Sequence, residues 1–105
     1  MPVKKLVRPG PSPAAVALRD RLVDEWRHPD PAAQQPVIVE ESGGAGQPIH
    51  VYVIWDDWSP IGTIERSEVI MDAYEAVHGT AQSTNVTVAM GLTPAEADRL
   101  GIRYR

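Results

Sequence analysis

The chain predicts an α+β domain with the element order α-β-β-α-β-α, a small three-stranded sheet with helices packed on one face. Three observations carry that prediction. Residues 15–26 and 69–77 repeat apolar side chains at the spacing of a helix. Residues 49–56 alternate strictly, and residues 83–90 are rich in β-branched side chains, as strands are. Residues 93–102 spell out a short helix with both of its ends marked.

At 105 residues the chain is expected to form one domain with a modest core. Residues 1–13 carry four prolines, Pro2, Pro9, Pro11 and Pro13, beside Lys4, Lys5 and Arg8. Proline removes backbone donors and favours extended chain, so this stretch reads as a flexible basic arm ahead of a single domain at 14–105. Ser12-Pro13 then reads as a helix cap followed by proline at the first helical position. Ala15, Leu18, Leu22 and Trp26 recur on one face, and Pro29 ends the helix by disfavouring helical geometry at His28.

"PVIVEE" (36–41) reads as a short strand and "SGGAGQP" as the loop after it. The next strand places Ile49, Val51, Val53 and Trp55 on one face and His50, Tyr52, Ile54 and Asp56 on the other. A seven-residue glycine-rich connection suits an antiparallel pair. After the turn at "SPIG", Thr63 can cap a helix with Val69, Ile70, Ala73, Tyr74 and Val77 as its apolar stripe, stopping near Gly79. "STNVTVAM" supplies the third strand. Thr93 with Glu96 forms a capping box, and Gly101 followed by Ile102 forms a glycine stop with an apolar clasp. The expected core is Leu18, Leu22, Trp26, Val51, Val53, Trp55, Ile70, Ala73, Val86 and Val88.

Charge narrows the function. Residues 31–92 hold a single base, Arg66, against eight acids. Such a body repels phosphate, because nucleic-acid affinity comes largely from Lys and Arg displacing counterions. No apolar run approaches the roughly 20 residues of a membrane span. The N-terminus lacks the long apolar segment of a signal peptide, and the chain has no cysteine, so a cytoplasmic protein is expected.

The densest stretch is "HVYVIWDDWSPIGTIERSEVIMDAY" (50–74). Adjacent acids on a strand point to opposite faces, so Asp56 and Asp57 do not share one substrate there. The histidines His28, His50 and His78 have no ligand-like spacing, and no cofactor or metal site is implied. As an enzyme, the chain would have to use His50 or His78 with Asp56. His50 and Asp56 share a face but stand about 20 Å apart along a strand. The plainer reading is structural: Trp55 and Trp58 bury aromatic surface while the acids wet the strand end.

The same stretch resembles the middle of the BolA-like family: an apolar strand, an acid, an aromatic, a turn, then an arginine opening a helix. Counted from Trp58, Arg66 falls on that arginine, and "VTVAMGLTPAEA" is similar to the family's last strand and helix start. "ALRDRLVDEW" and "VIVEES" match its first helix and strand in order. The resemblance implies an α+β fold of type II KH topology. It does not carry over the family's iron–sulfur ligation with monothiol glutaredoxins. The basic residues after that arginine are here Ser67 and Glu68, and the ligand positions fall on Asn85 and near Pro48. The KH topology would imply single-stranded nucleic-acid binding, yet the only GxxG match, Gly43–Gly46, lies between strands.

The expected function is therefore a small non-enzymatic interaction module with a protein partner or a second copy. His50, Tyr52, Ile54 and Arg66 are its expected contacts, with Thr87 and Ala89 beside them. Nucleic-acid binding through Lys4, Lys5 and Arg8 is the alternative from another class.

Overall fold

The computed structural model describes residues 12–42, 44 and 46–104; the expected basic arm lies, but for Ser12 and Pro13, outside them. Its elements run α1 (Pro13–Arg27), β1 (Val37–Ser42), β2 (Ile49–Ile54), a 3-10 turn (Asp56–Trp58), α2 (Thr63–His78), α3 (Thr80–Ser83), β3 (Val86–Leu92) and α4 (Pro94–Leu100). The predicted α+β class and element order stand, with one short helix added. α3 has only four residues, too few for any periodicity to show.

The sheet order is β1-β2-β3. β1 and β2 are antiparallel, with Val39 opposite Tyr52. β3 lies parallel to β2, which requires the long crossover that α2 and α3 provide. α1 opens as expected, with Ser12 Oγ accepting from the Ala15 amide at 3.2 Å. Gly62 precedes α2, so Thr63 is its first residue and not its cap.

The inner face of the sheet meets α1 and α2. Leu22, Val51, Val53, Ile70, Ala73 and Tyr74 are wholly buried there. Full burial of each large aliphatic contributes about 1.5–3 kcal/mol, so this layer supplies most of the hydrophobic stabilisation. Leu18, Trp26 and Val86 pack against it half-buried. Trp26 keeps its indole N–H on Glu40 Oε1 at 2.7 Å and sets its ring edge-on to Tyr74 at 5.8 Å.

β3 corrects the expected core. Ile49 is level with Val86, but His50 is level with Val88, so Thr87 is an extra residue in a bulge. One inserted residue reverses the parity of everything after it. Val88 consequently shares the outer face with His50, while Ala89 packs into the inner core. The expectation that Val88 is core and Ala89 outward is overturned for that reason.

α4 stands apart from the α1–α2 layer. Its Ala97 packs on Ile54 and Leu92 from the outer side, with Ile102 and Tyr104 alongside. The capping box is complete: the Glu96 amide donates to Thr93 Oγ1 at 3.3 Å, and the Thr93 amide donates to Glu96 Oε1 at 2.9 Å. Gly101 sits in the left-handed region at φ 72°, and the Ile102 amide closes the helix on Ala97 O at 3.0 Å.

Candidate interaction surface

The "WDDW" stretch is where the strand end is locked. Trp58 is wholly buried, donates its indole N–H to Val53 O at 3.0 Å, and meets Trp55 edge-on at 5.4 Å. Asp56 and Asp57 are exposed. Asp56 is held by Gln35, which accepts from its amide at 2.7 Å and donates to Oδ2 at 3.0 Å. The acids wet the strand end and the tryptophans fill it.

Arg66, expected as a partner contact, is instead an internal tie and is only 7% exposed. Its Nε donates to Ile61 O at 2.7 Å, and its Nη1 donates to Gly91 O at 3.2 Å and to Glu96 Oε1 at 2.8 Å. One side chain thus joins the turn before α2, the end of β3 and the cap of α4. A buried guanidinium needs such a set of acceptors to offset its lost hydration. Glu96 Oε1 receives both the Thr93 amide and Arg66, and these bonds hold its carboxyl down to about 2. Gly91 makes the arrangement possible. A Cβ there would lie 2.8 Å from Arg66 Cβ and 2.9 Å from Trp58 Cε2.

Ile54 is a second correction. It is fully buried, because α4 and Leu92 cover that corner, so it offers nothing to a partner. Tyr52 and His50 do lie on the outer face. Reading across the strands, Val39, Tyr52 and Met90 form one row, and Glu41, His50 and Val88 the next. Val39, Tyr52, Met90, Val88 and His50 are all half-buried. Beyond the corner that α4 covers, the sheet thus presents an apolar surface edged by one carboxylate and one imidazole. The imidazole Nδ1 lies 3.8 Å from Glu41 Oε2, and its ring stands edge-on to Tyr52 at 6.4 Å. Thr87, in the bulge, is exposed beside this surface.

The four positions that catalysis or metal binding would have to draw on, His50, His78, Asn85 and Asp56, are not brought together. His50 faces Glu41 on the outer side, whereas His78 faces Glu40, with Nε2 3.9 Å from its Oε1. Successive residues of one strand point to opposite faces, so the sheet separates the two imidazoles. His78 also packs on Tyr74, ring centres 4.4 Å apart. Asn85 serves the backbone: its carbonyl accepts from the Ile49 amide at 2.9 Å and its amide donates to Gln82 O at 3.1 Å. Asp56 belongs to the opposite end of β2 from His50. Among the described residues no group of three or more acids and histidines is gathered as a metal would require. Among them too, no helix is long and apolar enough to cross a membrane.

Sequence reasoning missed the partners of Arg66. The one signal present was Gly91 inside a strand, which commonly marks a close approach by another group. No protein-family model, curated protein or solved structure matches the chain.

Proposed function

We propose that this chain is a non-catalytic interaction module of BolA-like shape that docks a protein partner, a second copy included, on the outer face of its sheet. The observation that carries the reading is the row Val39–Tyr52–Met90 with Val88, an apolar surface that α4 covers at one corner and leaves half open elsewhere. Tyrosine suits such a role, since it supplies a large rigid contact area with a polar tip. The charge balance argues against a phosphate backbone as occupant. The described residues hold Arg19, Arg21, Arg27, Arg66, Arg99 and Arg103 against all fourteen acids of the chain, and Arg66 is buried.

The test places a photo-crosslinking amino acid at Tyr52 and, separately, at Ile64, a 77% exposed position on α2. Crosslinking to one protein of defined mass is expected from position 52 alone, and Tyr52→Asp should abolish it in competition while the thermal melt stays cooperative. Sedimentation at several concentrations identifies the partner as a second copy or another chain. Equal crosslinking from both positions, or a Tyr52→Asp variant that retains every partner, would overturn the reading.

A further inference from the structure

A groove of about 360 Å³ lies between the last turn of α1 and β1, lined by Glu25, Trp26, Pro29, Ile38 and Glu40. It is on the inner side of the sheet, because Ile38 and Glu40 alternate with Val39 and Glu41 along β1. Trp26 is half-buried, and the rings of Tyr74 and His78 meet it nearly perpendicular, at 5.8 and 6.3 Å. With its indole N–H on Glu40 Oε1, the ring is pinned beside that carboxylate.

The two carboxylates are held differently. The Glu40 side chain is 39% exposed and keeps acceptor capacity beyond the single bond from Trp26. His78 Nε2 stands 3.9 Å from the same Oε1, outside hydrogen-bond reach. Glu25 Oε2 is buried and accepts no hydrogen bond among the described residues. Arg21 Nη1 lies 3.2 Å from it but donates its hydrogen bond to Asp24. The Glu25 charge is therefore only partly compensated, and out of water its field reaches further into the groove than that of an exposed acid.

We propose that this groove receives an arginine side chain from a partner chain. An indole attracts a cation through its ring quadrupole, and here two carboxylates add to that attraction. A guanidinium is planar, so it can lie against the indole while its edge donates to Glu40. The compact ammonium of lysine satisfies one of these geometries at a time. Pro29 and Ile38 give the stem of the side chain an apolar floor. The acidic balance of the body favours the approach of a basic segment to this side. The inference stands independently of the outer-face reading, because none of its residues belongs to that face.

The indole N–H protons make the test direct. Titration with acetyl-Gly-Arg-Gly-amide should shift the Trp26 indole resonance saturably. The Trp58 indole, bonded to Val53 O at the far end of β2, should not move. The same peptide carrying citrulline, the uncharged analogue of arginine, should bind about tenfold more weakly, and the lysine peptide should also bind more weakly. Glu40→Gln keeps an oxygen for the indole but removes the charge, so it should weaken the arginine peptide about fivefold. Glu41→Gln removes the same charge from the opposite face and should leave binding unchanged. A Trp26 resonance that stays in place, or arginine and citrulline peptides that bind alike, would overturn the proposal. So would a preference for lysine, or equal weakening by the two glutamine variants.

Discussion

At the Ile54–Leu92 end of the sheet, a tryptophan, an arginine and a glutamate fasten strand, turn and two helices to one another. At the His50–Val88 end the same two strands run on through a bulge, and their outer side chains stay half open to water. The closed end uses buried hydrogen bonds whose every partner is specified, so it tolerates little change. The open end asks only for strand pairing and an inner apolar face, which many side chains satisfy. A surface able to change partners belongs at the second kind of place, and a fold keeps its stability at the first.

The sharpest way to break the contrast is Trp58→Ala. It removes a wholly buried ring and its indole N–H bond to Val53 O, so a loss of about 3–5 kcal/mol is expected in denaturant melts. A loss no larger than that of Tyr52→Ala would erase the distinction between the two ends. Gly91→Ala comes next. Its methyl would meet Arg66 Cβ and Trp58 inside 3.0 Å, so overpacking should cost about 1–3 kcal/mol. An alanine at this position without effect on the melt would mean that Arg66 is free to move.

The smallest effect, Glu96→Gln, sharpens the contrast by its pH dependence. The folded carboxyl titrates near 2 and its ordinary value is 4.5, so its contribution is full above about pH 4.5 and is lost as pH falls towards 2. Because the side chain is 36% exposed, water screens the pair and about 1–2 kcal/mol is expected at neutral pH. The difference between wild type and variant should therefore shrink steadily between pH 4.5 and 2. A difference that is constant with pH would show that the charge contributes nothing.

Legibility followed the range of the forces involved. α4 was readable to the residue because Thr93, Glu96 and Gly101 act within one or two turns of helix. The alternation of β2 was readable for the same reason. Arg66 was not, because its acceptors lie 5, 25 and 30 residues away, and an arginine that opens a helix is usually a solvated one. Ile54 was misplaced on an open surface because nothing local shows that α4 crosses to that side. The bulge left no trace either, since Val86-Thr87-Val88 is an unbroken β-branched run.

That bulge makes β3 a sentence with a shifted reading frame. Upstream of Thr87 the strand is in one phase with the core, and downstream it is in the other. Inserting one residue after Val88 would not lengthen the strand so much as turn its remainder over, driving the bulk of Met90 into the place beside Arg66 and Trp58 where only glycine fits. Length, at this one position, is as strictly encoded as residue identity.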